Sequence, residues 1–161
     1  MFREMRRSRQ QLPEEETEEI LKNGTTGILG VLAEDDYPYT VPVNYIYRDG
    51  KIYFHGAKGG QKFDAMQKHD KVCFCVIGED KIVPHDVTDY FKSVICFGRV
   101  HIMTEPEKKE MALALGRAFS PEDRVQWDMD RSYNNVVMYE IEIEHKTGKE
   151  AIELTRMRPQ Q

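Results

Sequence analysis

The sequence predicts a mainly β fold: a small, mostly antiparallel β-barrel with helices at its edges. Three observations carry this expectation. "YTVPVNYIY" (Tyr39 to Tyr47) alternates strictly and puts Val41, Val43, Tyr45 and Tyr47 on one face, the two-residue period of a strand with one buried side. "RDG" then separates it from "KIYFHG", and Asp-Gly between two such runs is a strong hairpin signal. Finally, six or seven strand-like segments are interrupted by three helical ones without regular β-α-β alternation, which disfavours a doubly wound parallel sheet.

Each element has its own signal. Pro13 and the acids of "EEETEEILKNG" start a first helix and Gly24 stops it; proline suits a helix start, and carboxylates suit its positive end. Ile20 and Leu21 give that helix an apolar edge for a barrel mouth. "GTTGILGVLA" (Gly24 to Ala33) reads as a strand and "EDDYP" as a turn. Residues 26 to 56 then form a three-stranded meander. "GQKFDAMQKH" is a short helix with Phe63, Met66 and Gln67 on its inner side, and "KVCFCVIG" is a buried strand. Residues 79 to 90 read as a loop, and "FKSVICFGRVHIM" as a long strand. Thr104 and Pro106 open a helix carrying Met111, Leu113, Leu115 and Phe119. "VQWDMDRSYNN" has no clear period and reads as a surface loop. "NNVVMYEIEIEH" is a strand with Val137, Tyr139, Ile141 and Ile143 facing in, and "TGKEAIEL" adds a short last strand.

Composition narrows the function classes. The 161 residues suit one domain, residues 1–161, with an N-terminal arm over 1–12 and a tail over 155–161. The net charge of −5 disfavours a nucleic-acid surface. Arg3, Arg6, Arg7 and Arg9 are offset by Glu14, Glu15, Glu16, Glu18 and Glu19, a solvated arm followed by a solvated helix face. No apolar run approaches the roughly 20 residues of a membrane helix, and no secretory signal is recognisable at the start, so a cytoplasmic protein is expected. Cys73, Cys75 and Cys96 form no disulfide framework and lack the further ligands that a metal site needs.

The chemistry-bearing stretch is "HGAKGGQK", from His55 to Lys62. Gly59 and Gly60 precede a helix whose first N–H groups have no intrahelical partner. Lys62 falls in the first turn, Lys58 just before the glycines, and His55 ends the strand. Backbone donors, a helix dipole and ammonium groups converge on an anion, and phosphate suits them. A plain flexible turn with solvated lysines is the alternative. The spacing fits neither a phosphate-binding P-loop nor a dinucleotide fingerprint. His55 would bond a phosphate, hold a substrate, donate a proton or bond backbone. His69, His85, His101 and His145 are scattered.

Taken in order, "TVPVNYIYRDGKIYFHGAKGGQKFDAM", "KVCFCVIG", "YFKSVICFGRVHIM" and "TGKEA" resemble the pyridoxamine-phosphate-oxidase-like split-barrel flavoproteins. Within them the chain is most similar to the Nim group, associated with 5-nitroimidazole resistance, from Pro13 to about Glu153. The resemblance implies a homodimer of six-stranded antiparallel split barrels with FMN at the subunit interface. It places His55, Gly56, Ala57 and Lys62 at the phosphate or ribityl chain, and Pro42, Val43 and Asn44 at the isoalloxazine, partly through backbone. It adds Ser93 and Val94 from the strand that completes the pocket. Trp127 or Tyr133 would cover the ring from a partner subunit; for Trp127, a plain surface anchor is the other reading.

The function implied is FMN-dependent oxidoreduction of a small organic substrate, with reduction of a nitroimidazole as the candidate reaction and His55 as the candidate catalytic residue. The pyridoxamine-phosphate oxidase reaction fits less well, because no cluster of Arg and His for a second phosphate stands near the chain's end. The alternative is a flavin- or haem-binding carrier or sensor without catalysis.

Overall fold

Antiparallel pairing closes six strands into one barrel in the order β1-β2-β3-β6-β5-β4. These are β1 (Thr26–Leu32), β2 (Pro38–Arg48), β3 (Lys51–Ala57), β4 (Lys71–Val83), β5 (Thr88–Ile102) and β6 (Val136–Glu150). The computed structural model describes residues 1–159. Strands β1, β2 and β3 are the expected meander. Asp49 and Gly50 turn between β2 and β3 with φ of 52° and 77°, the left-handed pair of a tight hairpin.

The inward period-two residues fill the barrel. Tyr45 meets Phe74 edge-on at 5.1 Å, and Phe54 stacks on Tyr139 at 4.9 Å; all four are fully buried. Space is tight, for a methyl added to Gly27 would lie 2.0 Å from the Phe74 ring. Helix α1 (Glu14–Asn23) closes one mouth with the fully buried Leu21 and the partly buried Ile20. The Tyr45 hydroxyl donates to the Leu21 carbonyl at 2.8 Å. Helix α2 (Gln61–Lys68) buries Ala65 and Met66 and partly buries Phe63, whereas Gln67 is exposed. On β4, Phe74 and Val76 point inward, so Cys73 and Cys75 lie half-buried on the outer surface; only Cys96 is buried.

One seam of the barrel opens. Strand β2 pairs with β3 only from Tyr45 to Arg48, while β3 follows β6 along its whole length. Pro38–Asn44 is therefore paired on one side alone, with β1. Pro42 lies in this stretch, where a missing N–H is tolerated. Helix α3 (Glu107–Phe119) covers the opening, touching β2, β3 and β6. No helix among the described residues is long and apolar enough to cross a membrane.

The structure corrects several expectations. Residues 79 to 90 are not a loop, because β4 and β5 pair out to Val83 and Thr88 as a protruding hairpin. Solvent on both sides removes the apolar alternation that marks a strand. "VQWDMDRSYNN" lies mostly in helix α4 (Glu122–Ser132). Pro121 precedes that helix, two acids open it, and a single residue, Val125, is buried, too few apolar contacts to leave a period in the sequence. "TGKE" continues β6, and the chain then turns into α5 (Ile152–Met157), so the described residues form six strands and five α-helices. Thr104 makes no side-chain cap.

The two ends are more ordered than an arm and a tail. Gln10 and Leu12 are buried, and Gln10 Nε2 donates to the Glu150 carbonyl at 2.8 Å. The four N-terminal arginines are exposed. Arg158 forks between Glu16, at 2.5 and 2.8 Å, and the buried Glu150, at 2.7 and 2.8 Å. Of the proposed tail, 160–161 lie outside the described residues. Arg158, against desolvation and with help from Lys92, holds the Glu16 carboxyl below its ordinary 4.5. A lowered carboxylate pKa stabilises the fold above the unfolded value and loses that contribution as pH falls through the folded value. Arg158→Ala is therefore expected to cost about 1–3 kcal/mol at pH 7, since it strands a buried carboxylate. In urea titrations the gap from wild type should shrink below about pH 4.5; a gap that is constant down to pH 3 contradicts this.

Candidate functional site

The opened seam sets the geometry. Extending the β2–β3 register past Tyr45 and Phe54 would set Asn44 against His55 and Pro42 against Ala57. Instead β3 turns away with β6, where His55 faces Met138 and Gly56 faces Val137. Pro42, Asn44, His55, Gly56 and Ala57 thus lie on the two edges of the opening.

The turn after β3 is built for close approach. Gly60 stands at the helix N-cap with φ of 99°, a conformation that side chains resist. Asp64 N–H bonds the Gly60 carbonyl at 3.1 Å, so the N–H groups of Gln61, Lys62 and Phe63 precede the first intrahelical bond and are free to bind outward. Lys62 is half-buried and lies back over β3: a methyl on Gly56 would come within 3.0 Å of its Cε and 3.5 Å of its Nζ. The lysine stem and the edge of the Tyr139 ring, at 3.3 Å, occupy the space beside Gly56. Lys68 of the same helix has Glu34 at 3.7 Å. Neither Lys58 nor Lys62 has a carboxylate within ion-pair distance among the described residues.

Beside this corner is a cavity of about 250 Å³ between the barrel wall and helices α3 and α4. Asn44 and His55 line it from the seam, Val136 and Met138 from β6, Leu115 and Phe119 from α3, and Asp128, Met129 and Tyr133 from the α4 side. Asn44 Nδ2 is held by the Thr25 carbonyl at 3.1 Å and the Thr26 hydroxyl at 3.2 Å, leaving Oδ1 to accept a bond. The Tyr133 hydroxyl donates to Glu105.

Other predicted residues lie elsewhere. Val43 and Val94 turn their side chains into the core, which leaves their backbone for a ligand. Ser93 faces outward on β5 opposite Ile77 and does not line the cavity. Trp127 is half-exposed on α4, flanked by the guanidinium groups of Arg124 at 4.8 Å and Arg131 at 4.6 Å, and is not a lining residue. Asp128 and Met129 lie in the segment 125–135, which the sequence pattern presents as a surface loop; Pro121 followed by two acids is the helix signal that locates them.

His55 is tuned from three directions. Desolvation in this corner and the Lys62 ammonium push its pKa below 6.5, while Asp128 pulls it up. Burial and Glu105 raise Tyr133 to about 12, so it stays a hydroxyl. In an NMR titration, the His55 ring should titrate below 6.5, move up in Lys62→Ala and move down in Asp128→Asn. No movement in either variant contradicts this arrangement.

Comparison with known proteins fits the geometry. Solved structures of the same fold include a candidate 5-nitroimidazole antibiotic resistance protein of Bacteroides thetaiotaomicron, 21% identical, with a TM-score of 0.69 over 86% of this chain and 85% of that one. An FAD-binding protein of Mesorhizobium loti is 25% identical, with a TM-score of 0.62 over 88% and 96%. A conserved hypothetical protein of Mycobacterium tuberculosis is 19% identical, with a TM-score of 0.80 over 98% and 96%. A comparison with curated proteins returned no match. Residues 13–150 match the pyridoxamine 5′-phosphate oxidase family, and the chain, a six-stranded antiparallel split barrel, belongs to that family.

Proposed function

We propose that this protein binds FMN at the opened seam and acts as an oxidoreductase on a small organic substrate. The observation that carries the reading is Lys62 laid over the bare Gly56, beside outward N–H groups of α2 and next to a cavity lined mostly by apolar groups. These residues fit one terminal phosphate. A charge-assisted hydrogen bond nets about 1.5–3 kcal/mol, so two or three supply about half of the roughly 8 kcal/mol of micromolar affinity. Asn44 Oδ1 offers an acceptor to a ring N–H, and Pro42 an apolar edge. The likeness to an FAD-binding protein supports a flavin, and a single phosphate corner favours FMN.

Bound FMN supplies the electron transfer. The chain's part is to fix the phosphate with Lys62, to orient the ring with Asn44, and to hold substrate in the cavity. His55, with its lowered pKa, is mostly neutral at pH 7; its ring can accept a proton from solvent on the free nitrogen and, as the imidazolium, deliver a proton to a reduced product. Nitro-group reduction is the narrower form of this reading, supported by the likeness to the Bacteroides protein.

A homodimer completes the proposal. On the outer barrel surface the register aligns Pro42, Ile28, Cys75 and Ile95 across four strands, with Ile77 and Phe97 also exposed. An exposed apolar patch of this kind marks an interface, and this one runs up to the seam edge, where a second copy would cover the flavin ring.

FMN titrations followed by visible absorbance test the site. Lys62→Ala is expected to weaken binding about tenfold or more, and Lys58→Ala no more than about threefold, as Lys58 is exposed and is not among the atoms beside Gly56. Sedimentation of the loaded protein should give twice the 18.8 kDa chain mass. Equal effects of the two variants, a protein that takes up no flavin, or a monomer would refute the corresponding part.

A further inference from the structure

We infer that the cavity beside the seam selects a small ring-bearing cation, an amine or amidine carried in its protonated form, with its charge on Asp128. The inference rests on the reading above that this cavity holds the substrate. At about 250 Å³ it falls below the roughly 300–1,000 Å³ that enclose a drug-sized ligand, so it takes one or two rings and not a whole flavin nucleotide. Its walls include Leu115, Phe119, Met129 and Met138, apolar and soft, and methionine sulfur packs well against aromatic rings.

Charge decides the class. Of the residues lining the cavity, Asp128 is the one Asp, Glu, Lys or Arg. It sits at the exposed mouth and has no ion-pair partner among the described residues. Helical spacing offers it two, Arg124 four residues before and Arg131 three after. Both guanidinium groups lie over the Trp127 ring instead, at 4.8 and 4.6 Å, where cation–π attraction holds them. Arg117, on α3, is committed to Glu122 at 2.7 Å. Trp127 thus acts as a positioning residue, keeping the neighbouring cations off Asp128 and its negative charge facing the cavity. Across from it stands His55, mostly uncharged at neutral pH; the ammonium groups of Lys62, assigned above to the phosphate corner, and of Lys108, held over the Tyr133 ring at 4.3 Å, belong to residues outside the cavity lining.

Three nearly isosteric probes isolate the charge: benzamidine (cation), benzamide (neutral) and benzoate (anion). Each is titrated into the full-length protein, with and without FMN, by calorimetry or NMR. Benzamidine is expected to bind at least fivefold more tightly than benzamide, and benzoate more weakly than both. In Asp128→Asn the affinity for benzamide should hold, which shows that the cavity is intact, while benzamidine falls to the benzamide level. Equal binding of benzamidine and benzamide by the wild type, an unchanged preference in Asp128→Asn, or no binding of any probe overturns the inference. FMN absorbance in the same samples separates the two readings: a cation preference without flavin uptake refutes only the flavin, and normal flavin uptake without a cation preference refutes only this inference.

Discussion

The structure depends on one broken pairing. Past Tyr45 and Phe54, β2 keeps to β1 and β3 keeps to β6, so the barrel opens where it would otherwise be a continuous ladder. Backbone groups along such an edge need other partners, and α3 is packed across the gap. A closed six-stranded barrel would have no room for a ligand, since its interior is already filled by Tyr45, Phe54, Phe74 and Tyr139. The cavity therefore lies outside the barrel wall, between that wall and two helices.

Around this opening, charges are arranged by which of them are left unpaired. Several ion pairs lie away from it: Arg158 with Glu16 and Glu150, Lys146 with Glu14 and Glu18, Lys51 with Glu140. At the seam two groups stand unpaired among the described residues. Lys62 rests its stem on Gly56 and keeps its ammonium free, and Asp128 is kept free because its nearest arginines are stacked on Trp127. One positive and one negative group, both felt by His55, frame a space that is otherwise mostly apolar. Exposed pairs contribute little to stability, so leaving these groups unpaired costs the fold little and keeps both available to a ligand.

Much of this was legible in the chain. Strict alternation gave β2 and its inward face, Asp-Gly gave the hairpin, and Gly60 followed by Gln61 and Lys62 marked the start of α2. The segments where the structure departs from the sequence pattern share a cause. The hairpin over 79 to 90 protrudes with solvent on both sides, and α4 buries only Val125; neither needs the apolar period that a packed face imposes. The C-terminal turn into α5 escaped for a similar reason, being held by Arg158 and Glu150 and not by an apolar stripe.

For the site, sequence alone determined the local parts: a glycine-rich turn, a lysine in a first helical turn, a histidine at a strand end. Those follow from backbone freedom and spacing over a few residues, and such rules act within one element. Only the tertiary structure decided that β2 and β3 part company between Asn44 and His55, that Val43 and Val94 turn inward, and that Asp128 meets His55 across a cavity. These depend on register and on contacts between elements dozens of residues apart, for which a linear pattern carries no signal.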